Sequence, residues 1–240
     1  GEYDQRDYGE RLIRWVEEGY NSSLPKCFDI GQATLRAISN IKRTGPESSG
    51  INEENACGNG SIMRLAPIPI FYRNAPDLAK KFSILQGVIT HSHTLPQQCC
   101  QILCSIILDA FNASSKEDIF INFSTDHSSY DDRLDSIFMC EFKDKSRDEI
   151  KSDTFVISTL EASLWAVWNT DNFQDALLLA VNLGHDADTV GAVTGQIAGA
   201  LYGYSTIPEE WVQGLAEHER VINLGKTLID TSIRTQHERL

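Results

Sequence analysis

No apolar run in the 240 residues approaches the roughly 20 needed to cross a bilayer as a helix, and the opening Gly1-Glu2-Tyr3-Asp4-Gln5-Arg6-Asp7 is too polar for a signal peptide. No membrane partner is expected. Basic residues are scarce: 21 Lys and Arg against 34 Asp and Glu leave a net charge of −13. A phosphate backbone needs clustered cations, so no nucleic-acid partner is expected either. Cys-x-x-Cys is missing. The six cysteines are scattered (Cys27, Cys57, Cys140) or crowded into one stretch (Cys99, Cys100, Cys104), which points to reduced thiols in a cytoplasmic protein rather than disulfides or zinc. Sustained period-2 alternation is missing as well, so half-buried strands are not expected.

What remains reads as helix. Apolar residues recur at helical spacing over 8–20 and 30–41, and a Gly-, Ser- and Asn-rich loop covers 42–57. A third helix is expected from Ser61, broken or kinked at Pro67 and Pro69. Further helices fit 76–91, 94–112, 155–168 and 173–183, with 94–112 apolar on nearly every side and therefore central. Between about 114 and 153 the chain turns polar and reads as a surface excursion with one short helix. The expected fold is all-α, a single domain over 1–240.

The helix opening at Asp188 carries Gly191, Gly195, Gly199 and Gly203, one every four residues. Each glycine costs about 1 kcal/mol of helix propensity, so the stripe implies close passage of another helix. At its entrance Asp186, Asp188 and Thr189 crowd oxygen atoms where backbone N–H groups lack partners. Helix capping needs one aspartate. Two carboxylates about 5 Å apart repel by roughly 3 kcal/mol at an effective dielectric of about 20. The helix terminus offsets about 0.3–1 kcal/mol per acid. A bound cation would remove the conflict, and an all-oxygen set favours Mg²⁺ or Mn²⁺. Capping and metal binding both stay open on these residues alone.

Gly58-Asn59-Gly60-Ser61-Ile62-Met63-Arg64 lies between a loop and a helix start. Its glycines permit positive φ, which would let successive N–H groups face one anion, with Ser61 as helix cap; a plain loop is the alternative. Arg64 can pair internally or reach a ligand. His91 and His93 sit near Cys99 and Cys100, so a Cys–His nucleophile pair is conceivable.

In combination, four stretches resemble the ADP-ribosylglycohydrolase family: Cys27-Phe28-Asp29-Ile30-Gly31, Gly58-Asn59-Gly60-Ser61 through Arg64, Thr90-His91-Ser92, and Gly184-His185-Asp186-Ala187-Asp188-Thr189 with Ile207-Pro208. The resemblance implies a compact orthogonal multi-helix fold and a hydrolase that removes ADP-ribose from protein side chains, arginine first among them. It implies a centre of two Mg²⁺ (or Mn²⁺) ions, with Asp186, Asp188 and Thr189 as metal ligands. It makes Asp29 and Asp188 the catalytic candidates, and Gly58, Asn59, Gly60, Ser61, Arg64 and His91 the binders of ADP-ribose. The partners it implies are ADP-ribose or an ADP-ribosylated protein. The family's other metal ligands form a Thr-Asp-Asp run near the N-terminus. No such run occurs in these 240 residues, where the nearest match is Tyr130-Asp131-Asp132. The reading is therefore of a domain incomplete at its N-terminus, with a non-catalytic ADP-ribose-binding or protein-interaction module of the same fold as the alternative.

Overall fold

Local chemistry decides where the helices start and stop. In the computed structural model, which describes residues 3–121 and 128–237, helix α1 (Gln5–Glu18) begins behind Asp4. The Asp4 carboxylate accepts from the Arg6 and Asp7 N–H groups, and Gly19 ends the helix in the left-handed region at φ 68°. Helix α2 (Gln32–Thr44) buries Ala37, Ile38 and Ile41. Among the described residues there is no sheet, only two isolated bridges, Ile51 to His91 and Gly58 to Phe155.

The third helix departs from expectation. Asn59–Ser61 forms a single 3₁₀ turn, and α3 (Pro67–Phe71) starts at the proline instead of breaking there. Proline suits the first helical position because its missing N–H would have no partner anyway. Ser61 therefore caps no helix.

Helices α4 (Pro76–Val88) and α5 (Thr94–Ala110) form an antiparallel pair. α5 is central as expected, with Leu103, Ile106 and Cys104 fully buried. The polar stretch 114–153 carries more structure than its composition suggests, although residues 122–127 of it lie outside the described residues. It holds α6 (Lys116–Phe120), α7 (Asp135–Phe138) and short 3₁₀ turns. Ile119, Leu134, Ile137 and Phe142 from this stretch are buried in the main core. Charged residues face solvent between these anchors, which is why the average looks like a surface loop.

Helices α8 (Val156–Trp168), α9 (Phe173–Val181) and α10 (Ala187–Tyr202) complete the core. The α10 glycines face side chains of α9, not a crossing backbone. A Cβ at Gly191 would come within 2.9 Å of Val181 Cγ1, whereas one at Gly195 or Gly199 would reach ordinary contact at 3.9 Å. Gly203 is not in the stripe; at φ 84° it ends the helix. Two helices not anticipated from the sequence, α11 (Glu209–Gly214) and α12 (His218–His237), follow. The Ser232 hydroxyl of α12 donates to the Phe71 carbonyl of α3. No helix among the described residues is long and apolar enough to cross a membrane.

Candidate functional site

Residues 152–154, just ahead of α8, hold two distant parts of the chain together. The Asp186 N–H donates to the Ser152 carbonyl at 3.0 Å, and the Asn59 N–H donates to the Thr154 carbonyl at 3.1 Å. This strap brings the turn before α10 and the Gly58–Arg64 loop onto one cleft of about 460 Å³. Asp29, Gly58, Asn59, Gly60, His91, Asp186, Asp188 and Thr189 all line it. Ser61 and Arg64 do not.

On the acidic side, Asp186 occupies the N-cap position of α10, yet its side chain caps nothing. Its Oδ2 instead accepts from the Asn59 Nδ2 at 2.5 Å, and the same amide donates to Thr159 Oγ1 at 2.7 Å. Asp188 is exposed and its Oδ1 accepts the Thr189 N–H at 2.9 Å. The Thr189 hydroxyl lies 4.0 Å from Met63 Sδ, a weak acceptor that leaves the oxygen lone pairs unused. His185, with φ 51°, follows Gly184 at φ 82° and turns the chain sharply into this corner.

The opposite wall is bound up internally. The Gly58 N–H donates to the Ala56 carbonyl at 2.8 Å and that of Asn59 goes to Thr154, so two N–H groups expected to face an anion are already engaged. Neither Gly58 nor Gly60 has positive φ. Gly60 is required for another reason: a Cβ there would stand 2.9 Å from His91 Cε1. Ser61 is fully buried, and its carbonyl accepts from Gln86 Nε2 at 2.9 Å. Arg64 also turns inward: it donates to the Gly60 carbonyl at 2.6 Å, to Gln86 and to Thr90 Oγ1 at 2.7 Å.

His91 is buried beneath the loop, where burial and the Arg64 charge push its pKa from an ordinary 6.5 down to about 3. Asp29 is exposed at the rim in a left-handed conformation, φ 49°. The Cys–His nucleophile pair finds no support. Cys99 and Cys100 are wholly buried, and burial raises both thiols, that of Cys100 to about 11.

Among the described residues, Glu54, Cys57 and His93 place ligand atoms within 4.8 Å of one another, but none of them lines the cleft. His93 Nδ1 accepts the Leu95 N–H at 3.2 Å, so its proton sits on Nε2, 3.0 Å from the Glu54 carboxylate. Glu54 is also paired with Arg133. A hydrogen-bonded ion cluster accounts for this group without a metal.

Not read from the sequence are the bonds of the Asn59 side chain to Asp186 and Thr159, the hold of the Thr90 hydroxyl on His91, and the 152–154 strap. Only the three-dimensional contacts give these residues their roles.

A family model described as ADP-ribosylglycohydrolase matches residues 1–238. An ADP-ribosylarginine hydrolase of Serratia proteamaculans is 45% identical over 228 residues, which cover 95% of this chain and 62% of that protein. One from Pseudomonas putida is 42% identical, with 96% and 61% covered. This chain thus spans under two thirds of the length of these relatives. A solved structure titled ADP-ribosylglycohydrolase-related protein complex superposes with a TM-score of 0.82 at 31% identity, over 96% of this chain and 75% of its own.

Proposed function

This chain belongs to the ADP-ribosylglycohydrolase family, and we propose that it is a Mg²⁺-dependent hydrolase releasing ADP-ribose from modified arginine side chains. The linkage follows the arginine hydrolases it is similar to. The observation that carries the reading is the state of the acidic corner. Asp186, Asp188 and Asp29 line one cleft, no Lys or Arg is among its described lining residues, and Asp186 performs no capping. A diphosphate brings negative charge to a wall of carboxylates, so cations must stand between them.

Asp186, Asp188 and the Thr189 hydroxyl form an all-oxygen donor set suited to hard divalent ions. Such ions, when bound, supply a Lewis acid and an activated water. Asn59 holds Asp186 in place, and we assign proton transfer at the substrate to the exposed Asp29 and Asp188 carboxylates, which line the same cleft. The six free cysteines suit a cytoplasmic setting.

The second reading is a binding module of the same fold. It draws on Asp131, part of the chain's nearest match to a Thr-Asp-Asp run, which is engaged with Arg133 and does not line the cleft. The deciding measurement is release of ADP-ribose from ADP-ribosylarginine with Mg²⁺ or Mn²⁺. The wild-type chain is expected to turn over, and Asp188→Ala to lose at least about 100-fold, as loss of several kcal/mol of transition-state stabilisation requires. Calorimetric ADP-ribose binding without turnover would replace the hydrolase with the module.

A further inference from the structure

Arg64 and Thr90 belong neither to the acidic corner nor to the cleft lining, yet Arg64 bonds Thr90 and Thr90 bonds His91, a chain that determines where the ring proton lies. A guanidinium has only donors. Arg64 donates to Thr90 Oγ1 at 2.7 Å, leaving that hydroxyl one proton to give. Two acceptors lie near it: the Gly87 carbonyl at 3.4 Å and His91 Nδ1 at 2.7 Å. The first is beyond the normal range for O–H···O, whereas the second is a short, well-formed contact between the hydroxyl and the ring nitrogen. The hydroxyl therefore donates to Nδ1, and the neutral ring must carry its proton on Nε2.

That nitrogen faces the cleft side of the ring. A Cβ on Gly58 would lie 3.5 Å from His91 Nε2, and one on Gly60 likewise 3.5 Å away; both glycines line the cleft. We infer that Arg64 and Thr90 are positioning residues that lock His91 in its Nε2–H tautomer, making it a fixed hydrogen-bond donor to an acceptor oxygen of the ligand. His91 is then not a proton shuttle. Burial and Arg64 support the same state by keeping the ring uncharged at neutral pH. This also gives the inward turn of Arg64 a purpose: it braces the Gly60 carbonyl and sets the tautomer with one guanidinium. The donor role towards ligand rests on the hydrolase or module reading; the tautomer lock does not.

The test is a long-range ¹H–¹⁵N spectrum of the full chain with labelled histidine. Wild type is expected to show His91 with unprotonated Nδ1 and protonated Nε2. Thr90→Val should redistribute the proton towards Nδ1, and Thr90→Ser should keep the wild-type pattern. A wild-type ring with its proton on Nδ1 overturns the inference even if Thr90→Val does not fold, as does a Thr90→Val spectrum identical to wild type. Addition of ADP-ribose, with binding followed by calorimetry, should move the Nε2–H resonance, and Thr90→Val should weaken binding by up to about tenfold, the worth of one hydrogen bond. Binding that leaves that resonance unmoved overturns the donor role. Absence of binding counts against the proposed function and the donor role, while the tautomer spectrum still judges the lock.

Discussion

The two walls of the cleft use their polar atoms in opposite ways. Along Gly58–Arg64 the polar groups turn inward: Gly58 N–H to Ala56, Asn59 N–H to Thr154, Ser61 carbonyl to Gln86, Arg64 to Gly60 and Thr90. Along Asp186–Thr189 the two carboxylates and the largely buried Thr189 line the cleft, and the Asn59 amide reaches across to Asp186. One wall is scaffold and the other is the proposed donor set. A buried polar group without a partner costs about 1–3 kcal/mol, so a wall that must stay rigid engages most of its polar atoms, the buried Ser61 Oγ being an exception, whereas a wall that is to bind keeps its oxygen atoms available.

Asn59 joins the two walls, and its removal should have the largest effect. Asn59→Ala takes from Asp186 the amide that holds its carboxylate from across the cleft. Groups that orient metal ligands typically contribute 10–100-fold to affinity. Titration with Mn²⁺ is expected to show a loss of about that size, with helical content unchanged. If the affinity stays at the wild-type value, the walls are independent and the orienting role of Asn59 fails.

Gly60→Ala tests the rigidity of the scaffold wall. The new Cβ would stand 2.9 Å from His91 Cε1, and His91, 3% exposed and bonded to Thr90, has little room to yield. Overpacking of this kind costs about 1–3 kcal/mol, to be read from the urea midpoint. Gly58→Ala is the internal control: its Cβ meets nothing closer than 3.5 Å, so its stability should change little. Equal losses at both positions would mean that the loop requires glycine for its backbone and not for His91.

The same contrast explains which parts of the site are legible in the sequence. The donor wall is contiguous along the chain, so Asp186, Asp188 and Thr189 stand out as crowded oxygen atoms from their spacing alone. The scaffold wall and its link to the donor wall depend in part on residues far apart in the chain, such as Arg64 with Gln86, 22 positions on, and Asn59 with Asp186, 127 positions on, and such pairings leave no local pattern. The glycines at 58 and 60 draw the eye for the wrong reason, since neither adopts positive φ and at Gly60 it is contact with His91 that excludes a side chain. The helices follow periodicity where one face is buried, as in α2 with Thr34, Ala37, Ile38 and Ile41, and follow a continuous apolar run where nearly all faces are buried, as in α5 and α8. Periodicity fails over 114–153, where short turns each contribute one or two anchors such as Leu134 and Phe142 to the core.

The smallest effect concerns the turn that feeds the donor wall. His185 is exposed and holds φ 51°, a region disfavoured for residues with a Cβ by about 1–2 kcal/mol. Glycine would adopt it without strain, but it adds freedom to the unfolded chain that offsets about 0.4–1 kcal/mol. His185→Gly should therefore gain about 0.5 kcal/mol, a rise of roughly 1–2 °C in Tm for a domain of this size. Mn²⁺ affinity should be unchanged, because the backbone bond from Asp186 to Ser152 and the Asn59 amide fix the corner without the imidazole. A fall in Tm would show that the His185 ring stabilises the turn. A loss of Mn²⁺ affinity at unchanged Tm would make that ring part of the donor set and extend the binding wall one residue towards Gly184.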